Sequence, residues 1–462
     1  MARYSLADAP YLITQFEWAE NDDEKYKDLA RFNKSLWANA YVIDGLVQSL
    51  LAKYQDEETI RYSADKENYF NILKVILLNI ALAQLNKKRY ITVSLGNNTF
   101  ISPDIYEPIR ITRAIFKNLL DWLVGKDYVN LYIAPPRSSG GMSSVFEPLD
   151  VMLDQIHDLE ISYKDILHHP KTSHVTLKDK DKNLIDFEHN DETRHRNKIL
   201  KDYSDLLNKT VISIKGMELQ ELVFVTSGYN RDLTKGGRIY GGTWQNCPSK
   251  DRETIEINGK PTVEIDIRNC SIGMAMQLSG KPIYPEVDLY EIDSFDRSLI
   301  KLIINTMLNT SSSTPKVGCS NTANRVFDEI MYESIKSQAR FKSPKARKNL
   351  MSVISSNQDN QAILSVYEVP YTKAHIRAAV DKIYEHYKPM SEEWLLKGRG
   401  LELQNYDSKV CIRVIEEFMR LNKVVLTVHD SFIVDIDDKE SLVDTLIHCY
   451  HEVIGHEPIL KV

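Results

Sequence analysis

The stretch PTVEIDIRNCSIGMAMQLSG, Pro261–Gly280, decides the fold of the second half of the chain. In its first half, apolar residues alternate with Glu264 and Asp266, so the two carboxylates share one face of a strand. Apolar residues at helical spacing resume after Asn269. The segment therefore predicts a strand that carries Asp266 and leads into a buried helix.

A second acidic position lies at a predicted hairpin turn. The sequence VVLTVHDSFIVDI, residues 424–436, consists of two β-rich runs interrupted at His429, Asp430 and Ser431. An amphipathic helix, Ser408–Leu421, precedes it. A turn exposes a carboxylate while two strands hold it rigidly, which favours metal binding by Asp430.

Asp266 and Asp430 could act together if their strands are neighbours. Two such carboxylates can hold two Mg²⁺ ions about 4 Å apart, the arrangement that activates a 3′ oxygen and stabilises a departing pyrophosphate. Taken singly, an Asp is more often a turn or helix-cap residue than a metal ligand. Spacing alone leaves both interpretations open.

Between these acids, DRSLIKLIINTMLNT, Asp296–Thr310, predicts a helix with a polar stripe. Four polar residues recur every fourth position: Arg297, Lys301, Asn305 and Asn309. Two cations and two amides suit a nucleoside triphosphate, with the cations on the phosphates. The alternative is an ordinary amphipathic surface helix.

Together, these segments resemble the palm and fingers of family A nucleic-acid polymerases over about 236–436. GGRIYGGTWQNCPSKDR, Gly236–Arg252, resembles the family's template and primer contact segment. EIDIRNCSIGMAMQLSG resembles the first catalytic motif, the Arg297 and Lys301 pair resembles the fingers helix, and VHDSF resembles the last catalytic motif. LQNYDSKVCIRVIEEF, from Leu403, resembles the helix that follows a template-side Gln.

The resemblance implies a site. Asp266 and Asp430 would be catalytic and, with the carbonyl of Ile267, would bind two Mg²⁺ ions, for which Mn²⁺ could substitute. Nucleotide contacts are implied for Arg297, Lys301, Asn305, Asn309 and Ser271. Primer and template contacts are implied for Arg238, Gln245, Asn246, Gln404 and His429. The implied partners are primer-template DNA, or RNA, and nucleoside triphosphates.

Three features leave the choice of sugar open. Ser271 stands where family A DNA polymerases usually carry a Glu that crowds a ribose 2′ hydroxyl, and HDSF is shared with single-subunit phage-type RNA polymerases. Asn309 stands where both branches usually carry Tyr. A DNA polymerase without an exonuclease domain is the leading interpretation. The alternatives are a ribonucleotide-using primase or RNA polymerase-like enzyme, a DNA-binding replication initiator with an inactive palm, and a metal-dependent nuclease.

The predicted fold class is α+β with several domains. We expect a mostly helical N-terminal domain, 1–150, a charged linker and thumb-like region, 151–235, and a palm with an antiparallel sheet and helical fingers, 236–462, with the fingers at about 290–400. Helices are expected over 23–56, 66–86 and 112–124, followed by a strand over 128–134. The order helix, helix, strand is that of a DNA-docking winged helix. A helical packing domain explains it equally well.

Composition bounds the cellular setting. The 462 residues carry a net charge of −7, and the five cysteines include no CxxC pair, which favours reduced thiols and a cytoplasmic protein. No apolar run reaches the roughly 20 residues of a membrane span, and no secretory signal is visible, so no membrane partner is expected. The run Lys336–Lys348 contains six cations and no acid, and could track nucleic-acid phosphates or form a solvated face.

Overall fold

The computed structural model describes residues 29–38, 41–58, 63–95, 103–133, 143–219, 222–337 and 344–461. The chain forms two compact units. The first comprises Met1–Val211 and Met217–Thr226, and the second comprises Ile212–Gly216 and Ser227–Val462. The division lies inside the segment 151–235, for which we predict a linker and thumb-like region.

The elements of the first unit alternate between helices and short strands. In chain order they are β1 (Leu29–Arg31), β2 (Leu36–Ala38), α1 (Asp44–Glu57), α2 (Ser63–Leu85), β3 (Tyr90–Val93), α3 (Arg113–Gly125), β4 (Val129–Tyr132), β5 (Ser144–Pro148), α4 (Asp150–His157), β6 (Ile166–His168), β7 (Val175–Lys178) and α5 (Asp191–Leu207).

The second unit begins with strands and continues mainly with helices. It contains β8 (Ile212–Ile214), β10 (Thr226–Asn230), β11 (Asp232–Tyr240), α6 (Ser249–Arg252), β12 (Glu256–Ile257), β13 (Lys260–Ile267), α7 (Cys270–Leu278), α8 (Arg297–Asn309), α9 (Pro315–Lys336), α10 (Pro344–Ser356), α11 (Gln361–Val366), α12 (Lys373–His386), α13 (Met390–Glu393), α14 (Gly400–Arg420), β14 (Val425–Val428), β15 (Ser431–Asp435), α15 (Lys439–Ile454) and β16 (Leu460–Lys461). A short strand, β9 (Met217–Glu218), belongs to the first unit.

The first unit contains a four-stranded sheet of order β1-β3-β5-β4, in which β1 runs parallel to β3 and the other neighbours are antiparallel. The described residues of this region contain more helix than strand, and the sheet is an addition to the helical domain that we predict. Among the described residues of the helix predicted over 23–56, α1 is helical, whereas β1 and β2 are strands because they pair with β3 and β6, which lie far along the chain. Such pairing partners are not visible in local periodicity.

Helix α2 forms the centre of the first unit's core. Nearly every side chain from Ile72 to Ala83 is buried, including Asn79, which interrupts the apolar pattern. Asn79 Nδ2 donates to the carbonyl of Asn33 at 2.9 Å, and the Asn33 amide donates to Asn79 Oδ1 at 2.7 Å. Asn79 Nδ2 also donates to the Val75 carbonyl at 2.8 Å, so the buried amide is hydrogen-bonded both to its own helix and to the β1–β2 connection.

Within the described residues, one helical stretch, Lys66–Leu85, is long and apolar enough to cross a membrane by length and composition. In the structure, 61% of its most apolar window is buried inside the protein. Buried core helices satisfy the same test, so this stretch is weak evidence for a membrane span.

The helix and strand predicted after Thr112 are found. The Thr112 hydroxyl accepts a hydrogen bond from the Ile115 amide at 3.4 Å and caps α3, which β4 follows. Strand β4 pairs with β5 in the antiparallel register Val129↔Pro148. Residues 134–142, between these strands, lie outside the described residues. The helix and hairpin are present, and the winged helix stays a prediction.

A central antiparallel sheet organises the second unit. Its strands have the order β14-β15-β13-β12-β8, and β16 pairs with the end of β13 on the edge opposite β15. Helix α14 packs against β11, α15 and α7. The predicted strand with Asp266, the buried helix after it and the hairpin around Asp430 are all found. The chain is therefore an α+β protein.

Candidate active site

The sheet of the second unit brings Asp266 and Asp430 together. Asp266 lies on β13 and Asp430 lies in the turn between β14 and β15. Strands β13 and β15 are antiparallel neighbours, with Asp266 opposite Ser431. The Ile267 amide donates to the carbonyl of Asp430 at 3.0 Å, and Ser431 Oγ donates to Asp266 Oδ1 at 3.0 Å. The strand register thus places two carboxylates on adjacent strands.

The turn that carries Asp430 is strained. Val428 pairs with Ser431, so His429 and Asp430 form a two-residue loop, and His429 has φ 58°. A non-glycine residue in this region costs of order 1–3 kcal/mol and is typical of functional sites. The His429 ring lies 5.8 Å from the Tyr240 ring. Burial and the nearby Arg238 lower the pKa of His429, against the effect of Asp430.

The two carboxylates repel each other at partly buried positions. Burial raises the pKa of Asp266, and the charges of Asp430 and Glu264 raise it further, against the effects of the Ser431 hydrogen bond and Lys461. A divalent cation would offset this repulsion. Among the described residues, no group of three His, Cys, Asp or Glu side chains is placed to hold a metal. Two carboxylates nonetheless fit Mg²⁺, which is usually bound by one or two carboxylates plus substrate phosphates and water.

A cavity of about 920 Å³ opens at these carboxylates within the second unit. Most of the sequence-predicted residues line it: Asp266, Ile267, Asp430, Ser271, Arg297, Lys301, Asn305, Asn309, Arg238 and Gln404. Gln245, Asn246 and His429 are absent from its lining. Five cations and two carboxylates face this space, so it suits an anionic ligand.

Helix α8 presents the predicted polar stripe to the cavity. Its other face is buried and includes Ile300 and Ile303. Arg297 Nε donates to Asp288 Oδ2 at 2.5 Å and its guanidinium lies 5.4 Å from the Tyr290 ring, while Lys301 Nζ lies 5.9 Å from the same ring. The buried Tyr290 ring is therefore close to both cations.

The stripe ends in close contact with α14. Asn309 Nδ2 donates to the carbonyl of Asn305 at 2.8 Å. A Cβ at Gly400 would lie 2.3 Å from Asn309 Oδ1 and 2.7 Å from its Cγ. A larger residue at position 400 would force the Asn309 amide to move, so Gly400 leaves the room that this amide takes at the cavity wall.

The side-chain amide of Gln245 is hydrogen-bonded to backbone groups. Nε2 donates to the carbonyls of Ile239 and Thr427 at 3.1 and 3.0 Å, and Oε1 accepts from the Gly241 amide at 3.0 Å. Trp244 next to it is 1% exposed, and its indole donates to the Thr427 carbonyl at 3.2 Å. Trp244 is therefore a core residue, and Gln245 joins β11 to β14. Asn246 is exposed.

Arg238 enters the cavity from β11 and is held from α14. Its Nε donates to Asp407 Oδ2 at 2.9 Å, with the Asp407 side chain 5% exposed. The pKa of Asp407 is raised to about 6 because burial outweighs the attraction of Arg238, and Asp430 adds to the rise. Gln404, one helical turn earlier on α14, also lines the cavity.

Sequence reasoning missed several residues at this site: Arg268, Asn269, Tyr290, Asp407 and Lys461. Arg268 and Asn269 directly follow the first acidic strand, so their position in the sequence could have indicated them. Asp407 lies within the segment resembling the template-side helix. Tyr290 and Lys461 carry no local signal, because their place at the cavity depends on chain packing.

Comparisons with known proteins give little. No known protein family matches the chain, and no curated protein matches it. Among solved structures, one described as the "POL domain of Pol1 from M. smegmatis complex with DNA primer-template and dNTP" aligns over 90% of this chain with 11% sequence identity. The alignment spans 65% of that domain's own chain, and its TM-score is 0.24.

Proposed function

We propose that the protein is a template-directed nucleotidyltransferase, a DNA polymerase of family A type that extends a primer by two-metal-ion phosphoryl transfer. The observation that carries this proposal is the placement of Asp266 on β13 beside Asp430, in the turn that leads into the neighbouring strand β15, at a cavity that α8 lines with Arg297 and Lys301. Paired carboxylates beside a stripe of cations are what metal-assisted transfer from a nucleoside triphosphate requires.

Asp266 and Asp430 would hold two Mg²⁺ ions, with the Ile267 carbonyl as a further ligand and Mn²⁺ as a substitute. When bound, the ions supply Lewis acidity at the 3′ oxygen and at the departing pyrophosphate. The strained turn at His429 and the Ser431 hydrogen bond fix the carboxylates before substrate arrives. Such preorganisation lowers the cost of reaching the transition state.

Arg297 and Lys301 would bind the triphosphate and neutralise charge that builds on it. Asn305 and Asn309 lie further along the same helix and would contact sugar or base. Arg238, on β11, and Gln404, on α14, would contact the primer terminus and the template. His429 and Gln245 would act through the positions of Asp430 and the β11–β14 junction.

Ser271 favours ribonucleotides as a second candidate substrate. It is half-buried on α7 and lines the cavity, and its side chain is too short to crowd a 2′ hydroxyl as a Glu would. A ribonucleotide-using enzyme of primase or RNA polymerase type is therefore the alternative activity. Asn305 and Asn309 motivate the further alternative of an inactive palm in a DNA-binding initiator, against which the retained Asp266, Asp430 and Lys301 count.

The test is extension of a labelled primer on a DNA template with Mg²⁺, with deoxynucleotides and ribonucleotides in separate reactions and a reaction without primer. We expect templated growth by the wild type and a loss of at least about 10³-fold in Asp266→Asn and Asp430→Asn. Asp293→Asn, at an exposed position outside the cavity, is the matched control and should extend normally. DNA binding without synthesis in any reaction would instead support the inactive-palm alternative.

A further inference from the structure

Strand β16 places a lysine beside the first catalytic carboxylate. Residues 460 and 461 pair with the end of β13 in the antiparallel register Asp266↔Lys461 and Ile267↔Leu460. Directly opposed residues of an antiparallel pair have Cβ atoms roughly 4.5–5.5 Å apart. Lys461 lines the cavity, and its charge opposes the rise in the Asp266 pKa. Its ammonium therefore acts on the same space as the carboxylate.

The cations that line the cavity differ in whether a carboxylate of the protein is already paired with them. Arg238 is paired with Asp407 and Arg297 with Asp288. Within the described part of the chain, Lys461 forms no ion pair with a carboxylate at 4.0 Å or less, and it is exposed to the cavity. A lysine with an uncommitted ammonium is a compact point charge with three donors, which suits phosphate oxygens.

Lys461 also approaches the cavity from a different element than the predicted cations. Arg297 and Lys301 belong to α8, whereas Lys461 belongs to the sheet that carries both carboxylates. Arg268, the residue that follows β13, contributes hydrogen bonds next to Lys461. Its amide donates to the Ile459 carbonyl at 2.8 Å, and its guanidinium donates to the Pro285 carbonyl at 2.7 Å. The first bond fixes the end of β13 against the start of β16, and the second holds the Arg268 side chain against the segment between α7 and α8.

We propose that Lys461 is a phosphate-binding residue of the active site, which holds the triphosphate of the incoming nucleotide at the carboxylate side of the cavity. This inference rests on the proposed function. Because Lys461 would be held in place by the pairing of β16 with β13, its ammonium would meet the phosphates close to Asp266. The cations of α8 would then bind the same anion from a second element.

The test measures nucleotide and phosphate binding separately. Lys461→Ala should raise the KM for the nucleotide about tenfold with a smaller change in kcat, and Lys461→Arg should restore most of the loss. The affinity for primer-template, from fluorescence anisotropy, should stay within about twofold. Lys281→Ala, at an exposed position outside the cavity, is the control and should behave as wild type.

Inorganic tripolyphosphate with Mg²⁺ provides a readout that needs no synthesis. Calorimetric titration should show about tenfold weaker binding to Lys461→Ala than to the wild type, with Lys461→Gln as a second variant and thermal unfolding as the check on folding. Equal binding and equal nucleotide KM in a wild type that extends primers would overturn the inference alone. A loss confined to primer-template affinity would assign Lys461 to the primer backbone and also overturn it. Lys461-dependent tripolyphosphate binding without primer extension would uphold the inference while the polymerase proposal fails.

Discussion

Arg238 on β11 and Asp407 on α14 are joined by a hydrogen bond of 2.9 Å, and Asp407 is the more deeply buried partner. The aspartate is held inside the protein, and the guanidinium extends to the cavity that contains Asp266 and Asp430. Asp407 therefore positions a cation that would contact nucleic acid, although it does not line the main cavity itself.

Asp407→Asn should reduce primer extension about tenfold, because the side chain keeps an acceptor but no longer fixes Arg238 by charge. The pKa of Asp407 is raised to about 6, so the carboxyl is charged at pH 8 and becomes protonated as the pH falls through about 6. Wild-type extension should fall over that range. The variant should already show the reduced rate at pH 8, so the ratio of the two rates should approach one at low pH.

The exposed pair Arg377 and Asp381 supplies the control for this experiment. Asp381→Asn removes an ion pair of neighbouring helix turns and should change neither rate nor pH profile. A wild type and Asp407→Asn that differ by the same factor at pH 5.5 and pH 8 would show that the charge of Asp407 does not position Arg238.

Mg²⁺ binding should weaken as the pH falls. Burial and Asp430 raise the pKa of Asp266, so protons compete with the metal at a higher pH than for an exposed carboxyl. We expect the rise in Tm caused by Mg²⁺ to shrink between pH 8 and pH 5. Asp430→Asn should remove most of the Mg²⁺ effect and raise the metal-free Tm, since it relieves the repulsion. A Mg²⁺ effect independent of pH and unchanged in this variant would contradict the metal site.

Ser271→Glu should sharpen the choice of sugar. Ser271 lines the cavity on α7, and a longer carboxylate there would crowd a 2′ hydroxyl. We expect the ratio of deoxynucleotide to ribonucleotide kcat/KM to rise at least tenfold, mainly through loss of ribonucleotide use. Ser352→Glu, at an exposed position of α10 and outside the cavity, is the control. An unchanged ratio would show that the sugar of the nucleotide does not lie next to residue 271.

His168 should make the stability of the first unit depend on pH. Both ring nitrogens are buried without a hydrogen-bond partner among the described residues, and the ring lies 4.2 Å from Phe224, which also contacts His174. Burial, with a smaller effect of His174, lowers the pKa of His168 to about 3. The folded pKa is below the ordinary 6.5, so stability is complete above pH 6.5 and is lost as the pH falls towards 3.

Between pH 6.5 and pH 5 this loss should be about 2 kcal/mol, since each pH unit corresponds to about 1.4 kcal/mol. His168→Phe should remove that dependence and stabilise the protein by about 1–2 kcal/mol at pH 7, because it eliminates two buried unpaired nitrogens. Urea unfolding at several pH values measures both effects. His157→Phe, at an exposed position, is the control. Parallel pH dependence in wild type and His168→Phe would refute this assignment.

Gln245→Ala should destabilise the second unit by about 2 kcal/mol, because it removes three hydrogen bonds to backbone groups, although the Thr427 carbonyl keeps its bond from the Trp244 indole. Urea unfolding measures this loss. At a temperature where the variant is folded, the KM for primer-template should change less than in Arg238→Ala. A stable variant with a strongly raised primer-template KM would support the direct contact that the sequence resemblance implies.

The sequence by itself determined the elements that carry local periodicity. The alternation around Asp266, the helical stripe from Arg297 to Asn309 and the hairpin at Asp430 are all found, because backbone geometry imposes periods of two and about 3.6 residues on the chain. Tertiary structure decided the rest. The strands at 29–38 depend on distant partners, and the pairs Arg238–Asp407, Arg297–Asp288 and Asp266 opposite Lys461 follow from packing and strand register. Most of these contacts join residues far apart along the chain, and local sequence patterns do not encode which side chain will meet which.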